Sequence, residues 1–252
     1  MSDQRWDQLC VQSDSAAFIA EQLRATLAES GYAPYDPFHG GSGTPPRFKR
    51  FVRLFVLPPH SGWTRVLGAQ DADVLPALLR ALSADRLLIH AWFTAERGAL
   101  DAYRDGAADS ALLAPYLSDA PRAADAPHSA TLPPDVAKLA ESRGVNPKQA
   151  EKLIGRLARN VFGAQASNVQ QDAAQLFRSA WQSAGAQQLL TALNRLRLPF
   201  DLRAPDFETL RTAYQAARML ARRPTASLLD AERAALDAIP YASDLLPIYV
   251  GK

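Results

Sequence analysis

Apolar residues along this chain change their period several times, and the changes mark out its elements. Behind Ser13 or Asp14, either of which can cap a helix, Phe18, Ile19, Leu23 and Leu27 recur at helical spacing and predict a helix to about residue 30. Residues 35–46, with His39-Gly40-Gly41-Ser42-Gly43, read as a loop. Residues 48–57 are β-branched and aromatic, Pro58-Pro59-His60-Ser61-Gly62 follows, and residues 63–67 are apolar again, the pattern of a hairpin. Asp71 or Asp73 then caps a helix through Leu82, with Leu75, Leu78, Leu79 and Leu82 along one face.

The pattern then repeats. Residues 86–93 read as a strand, Glu96-Arg97-Gly98 as a turn and residues 99–103 as a second strand, with Gly106 and Asp109 ahead of a short helix to Leu117. The order α-ββα-ββα hints at an internal duplication, although the glycine spacing differs, Gly62 to Gly68 against Gly98 to Gly106. One antiparallel sheet with helices on one face would bury the apolar side of every element.

Residues 118–134 are rich in Pro, Ala, Ser and Asp and read as a linker. Beyond them every periodic segment reads as helical: 132–143, a helix from Asn146 (with Pro147 and Gln149 behind it) to about 162, then 169–184, 187–196, 206–222 and 227–239. Ser227 and Asp230 have capping-box spacing. Five or six helices of this length make a bundle. The expected class is therefore α+β: an α/β domain at 1–117 carrying two strand hairpins in an antiparallel sheet, a linker at 118–134, and an all-helical bundle domain at 135–252. The apolar end, Ile248-Tyr249-Val250, is expected to dock rather than fray.

Composition narrows the class. An apolar fraction of 48% and a charged fraction of 21% over 252 residues argue against wholesale disorder. Cys10 is the one cysteine, so no internal disulfide or cysteine metal cluster can form, which fits a reducing compartment. The first ten residues are polar, so no signal peptide is expected, and no stretch approaches the roughly 20 apolar residues of a membrane span. A cytoplasmic protein is the expectation.

Charge is unevenly spread. Residues 1–130 carry 12 Arg and Lys against 15 Asp and Glu, whereas residues 131–252 carry 16 against 11. The excess concentrates in residues 138–223, with 14 basic and 6 acidic side chains. Such a field attracts acidic partners, and a solvated Arg-rich surface is the plainer alternative.

Candidate chemistry is sparse. The Gly-rich loop lacks the fifth-position glycine of a nucleophile elbow, where Thr44 stands, and the Gly-Lys-Ser/Thr of a phosphate loop. His39, His60, His90 and His128 lack metal-ligand spacing, so neither metal nor cofactor is expected. Cys10 has no basic flank to activate it. Asp71, Asp73, Asp109, Asp206 and Asp230 read as helix caps, and Phe177, Trp181, Phe200, Tyr214 and Met219 as core.

Two segments carry binding chemistry. Alternation along residues 48–57 places Lys49, Phe51, Arg53 and Phe55 on one face and Arg50, Val52, Leu54 and Val56 on the other. Cations interleaved with rings suit single-stranded nucleic acid. The glycine of the RNP1 pattern is missing and Leu54 stands where an aromatic belongs, so the expectation is an amphipathic strand with its phenylalanines under the opening helix. In residues 136–159, Ala140 precedes Gly144 by four, Val145 follows, and Ala150, Leu153 and Ile154 give an apolar face, as in a helix-turn-helix. Arg143 departs from that pattern by standing where an apolar residue is usual. Lys148, Lys152, Arg156 and Arg159 form a basic stripe on the second helix.

The expected function is a non-enzymatic interaction protein or complex subunit whose basic helical domain binds an acidic protein or nucleic acid. A DNA-binding protein using the 136–159 hairpin is one alternative. A small-molecule binder or enzyme with a pocket between the halves is the other.

Overall fold

A computed structural model of the protein describes residues 6–36, 48–69, 71–118 and 181–252. These contain strands β1 (Trp6–Gln12), β2 (Ala33–Pro34), β3 (Phe51–Val56), β4 (Trp63–Ala69), β5 (Leu88–Phe93), β6 (Gly98–Arg104), β7 (Ala107–Ala108) and β8 (Leu246–Gly251). The helices are α1 (Ala16–Glu29), α2 (Leu75–Leu82), α3 (Ala184–Leu193), α4 (Phe207–Arg222) and α5 (Asp230–Ala238), with 3-10 turns at Ser110–Tyr116 and Ala242–Asp244. All eight strands form one antiparallel sheet in the order β2-β8-β3-β4-β1-β5-β6-β7.

The mixed class and both hairpins follow the sequence closely. Ser61 and Gly62, at φ of 50° and 83°, make a two-residue turn between β3 and β4. His60 and Trp63 exchange backbone hydrogen bonds across it at 2.8 and 3.1 Å, so the turn twist matches the strand twist. Ser15 caps α1 by accepting from the Phe18 N–H, and Asp206 caps α4 by accepting from the Thr209 N–H. Glu232 accepts the Leu229 N–H at 2.8 Å, so the cap of α5 lies two residues beyond Ser227.

Four expectations are corrected. The polar opening segment contains β1, which pairs with β4 on one side and β5 on the other at the centre of the sheet. Residues beyond 134 are not wholly helical, because Leu246–Gly251 forms β8 between β2 and β3. Neither Asp71 nor Asp73 caps α2, whose N-terminus at Val74 has no side-chain cap, whereas Asp109 does cap the 3-10 turn at Ser110–Tyr116, and Asp105 and Gly106, both at positive φ, turn β6 back into β7 ahead of it. Helices also cover both faces of the sheet rather than one.

The strand periodicity shows why both faces are covered. Leu9, Val11, Val52, Leu54, Val56, Leu88, Ile248 and Val250 point to one face and pack against Ile19, Leu23 and Leu27 of α1 and Leu78 and Leu82 of α2. On the opposite face, Ile89, Ala91 and Phe93 meet Leu189 of α3 and Leu113 of the 3-10 turn. Further along that face Phe55, Leu67 and Tyr249 meet Leu210 and Ala213 of α4 and Ala235 of α5. Since α2 and the 3-10 turn at Ser110–Tyr116 follow their hairpins onto opposite faces, packing does not repeat even where the sequence pattern does. The linker 118–134 and the hairpin 136–159 lie outside the described residues.

α3 is fastened to the β5–β6 turn by close backbone approach. Ser183 caps α3 through the Ala186 N–H, Gly185 N–H donates to the Ala95 carbonyl, and Gln188 accepts the Gly98 N–H. A Cβ on Gly185 would collide with the carbonyl oxygens of Thr94 and Arg97, which are backbone atoms and cannot swing away. Gly185→Ala should therefore lose roughly 1–3 kcal/mol of stability in urea denaturation. An unchanged midpoint would mean that α3 is not seated on this turn.

Candidate functional site

Strand β1 carries a buried polar side chain on each face. On the face of α1 and α2, His90 Nε2 donates to Asp7 Oδ1 at 2.6 Å, and next to them Trp92 Nε1 donates to Asp101 Oδ2 at 2.6 Å. On the opposite face the surrounding donors and acceptors orient the Gln8 carboxamide with its oxygen toward Arg65: so turned, it accepts from Arg65 Nε and Nη2 at 2.7 and 2.8 Å and donates to the Leu202 carbonyl at 2.6 Å. Arg65 Nη2 also donates to the Ala204 carbonyl at 2.7 Å, and its guanidinium lies 5.0 Å from the centre of the Phe200 ring. Desolvation holds the Arg65 pKa below its ordinary value. Asp7, Gln8, Arg65 and His90 are all buried, and each makes a hydrogen bond to another of the four inside the core.

Cys10 lies beside them with no exposed surface. Burial pushes its thiol up to about 12, and the nearby Arg65 charge only partly offsets that. A thiol so protonated is a poor nucleophile near neutral pH.

The exposed chemistry lies on β3. Arg53 is exposed, and its Nε donates to the Tyr35 hydroxyl at 2.8 Å while its guanidinium sits 5.2 Å from the centre of the Phe51 ring. Phe51 remains 38% exposed, which is unusual for a phenylalanine on a sheet with both faces covered. Tyr35 meets Phe51 edge-on at 5.5 Å and Phe48 at 5.9 Å, and Phe48 meets Phe51 at 6.1 Å. The ring of Phe48 lies on the backbone of Gly251, where any Cβ would displace it. Lys49 is exposed beside them, and among the described residues neither Lys49 nor Arg53 forms an ion pair with a carboxylate.

The phenylalanines do not pack under α1. Phe51 is open to solvent, and Phe55 is buried on the opposite face against Phe207 and Tyr214 of α4. The Lys49, Phe51, Arg53 and Phe55 face thus divides: α4 covers its last ring and leaves the first three side chains exposed. Arg50 points away and is engaged by Asp73 and, at 3.7 Å, by Asp71. Asp71 is less a helix cap than an acceptor for the Tyr32 hydroxyl at 2.5 Å, and that bond holds its carboxyl below the usual range.

A shallow cleft of about 210 Å³ adjoins the β3 surface at the sheet edge, with Arg24, Tyr35, Arg218 and Tyr249 in its walls. Arg218 is bidentate to Asp36 at 3.0 and 3.3 Å, and Arg24 donates to the Pro247 carbonyl at 3.4 Å. The volume is below the roughly 300 Å³ at which ligand pockets usually begin. Pro34 and Pro247, which lack N–H donors, blunt this edge against strand addition.

Of the residues singled out in the sequence, Lys148, Lys152, Arg156 and Arg159 lie outside the described residues, as do His39, Ser42, His128 and Phe177. His60 is exposed in the β3–β4 turn, and Trp181 stacks edge-on with Phe93 at 4.8 Å. Among the described residues no group of three His, Cys, Asp or Glu could hold a metal ion, and no helix is long and apolar enough to cross a membrane. Tyr35 was not legible as part of the surface, because it comes from a separate loop and reaches Arg53 only through the pairing of β2 and β3 with β8. Comparison with protein-family models, curated proteins and solved structures found no match for this chain.

Proposed function

We propose that this chain is a non-enzymatic interaction protein that binds an acidic partner, and that the β3 surface of Lys49, Phe51 and Arg53 contributes to the contact. The observation that carries this reading is Arg53, an exposed arginine fixed in place by Tyr35 without a carboxylate partner among the described residues. A side chain held ready in this way costs less ordering entropy when it meets an anion. The basic excess over residues 138–223 supports the same reading, with the stripe Lys148, Lys152, Arg156 and Arg159 as a second contact. If that stripe enters a major groove, the partner is duplex DNA.

Polyglutamate, a duplex and a single-stranded oligonucleotide provide the test at low salt. Wild-type protein should bind at least one of them, with affinity falling as salt rises. If the ligand is a nucleic acid, reversing Lys49 and Arg53 to Glu should reduce the slope of log affinity against log salt by about 0.7–0.9 for each phosphate that is no longer neutralised. Reversing Lys152 and Arg156 to Glu measures the share of the stripe. Absence of binding to all three polyanions would defeat the reading.

A further inference from the structure

Resting on the reading above, we infer that the β3 surface takes single-stranded nucleic acid, with bases stacking on the Phe51–Arg53 layer and phosphates meeting Arg53 and Lys49. The argument turns on the rings. An acidic peptide would use the cations of this surface and leave Phe51, 38% exposed, without a matching partner. A duplex offers phosphates, but its base faces are already stacked on one another. Only an unpaired strand presents both a π-face and a phosphate at each step.

The geometry fits that ligand. The Arg53 guanidinium lies over the Phe51 ring and is fixed by the Tyr35 hydroxyl, so ring and guanidinium form one layered surface. Bases stack on aromatic rings and on guanidinium planes alike. Tyr35 and Phe48 buttress Phe51 at 5.5 and 6.1 Å, and Phe48 rests on the bare backbone of Gly251, so the platform has a rigid floor. The sheet is open here because α4 covers Phe55 but not Phe51. Positive charge on Lys49 and Arg53 is complementary to the backbone of the strand.

Fluorescence anisotropy with a labelled oligothymidine, a duplex of equal length and labelled polyglutamate tests the inference on the full chain. Oligothymidine should bind more tightly than the duplex. Phe51→Ala should weaken oligothymidine by about 5- to 150-fold, the range for loss of one stacked base, and leave polyglutamate binding unchanged. Phe51→Leu, which keeps apolar volume but removes the π-face, should show the same selective loss, so a folding defect in the alanine variant does not decide the result. Arg53→Glu should weaken both ligands. Binding of polyglutamate without oligothymidine would overturn the inference and leave the acidic-partner reading intact, whereas binding of neither ligand nor the duplex would overturn both. Oligothymidine binding that is indifferent to Phe51→Leu would also overturn it, because phosphate contacts alone would then account for the affinity.

Discussion

Phe55→Ala should cost about 3–5 kcal/mol of folding stability, as large aromatic truncations in a closed core do. Phe55 has no exposed surface, and its ring meets Phe207 at 5.4 Å, Tyr214 at 5.5 Å and Tyr249 at 5.8 Å. It is the point where β3 meets α4, and its cluster extends to Ala235 of α5 and Leu245 before β8. A cavity there would loosen the helices from the sheet and not merely soften one pairing. Phe51→Ala, only four residues away on the same strand face, should cost far less because its ring already faces water. Phe55→Leu should fall between them, at about 1 kcal/mol, since much of the volume is kept. Urea denaturation of the three variants gives the comparison. Equal losses at positions 51 and 55 would mean that α4 does not divide this face.

That division was only half legible in the sequence. Alternation from Lys49 to Val56 placed each side chain on its face, because the strand period is set by backbone geometry alone. Which ring is buried depends on α4, more than 150 residues later, and no local pattern encodes it. Helices α1 and α4 were legible because an apolar stripe and an adjacent polar cap occur together in each, and α2 because of its apolar stripe alone. Strand β1 was not, since Asp7 and Gln8 make its opening read as polar. Those residues are tolerated at the centre of the sheet because His90 and Arg65, from β5 and β4, satisfy them. Strand β8 was foreseen only as an end that docks. Its Pro247, which usually argues against a central strand, is placed where a missing N–H faces the sparsely paired outer side of the strand.

The Gln8–Arg65 pair gives the other large expected effect. Gln8 has no exposed surface, and its carboxamide oxygen receives both of its hydrogen bonds from Arg65. Arg65→Met keeps much of the apolar stem but strands that oxygen among apolar atoms, and it also takes the guanidinium away from the Phe200 ring. The orphaned acceptor alone costs about 1–3 kcal/mol, so a total of roughly 2–4 kcal/mol is expected once the poorer packing is included. Gln8→Leu alone should also destabilise, because it leaves a buried guanidinium with one of its acceptors removed. The two changes together should cost clearly less than their sum, since neither polar group is then left without the other. Arg65→Lys should not rescue, because an ammonium cannot place two parallel donors on one oxygen as the guanidinium fork does. A double-mutant cycle by thermal or urea denaturation measures the coupling. Strict additivity would show that Gln8 and Arg65 are held independently, and that some feature other than their mutual satisfaction permits polar residues in the middle of β1.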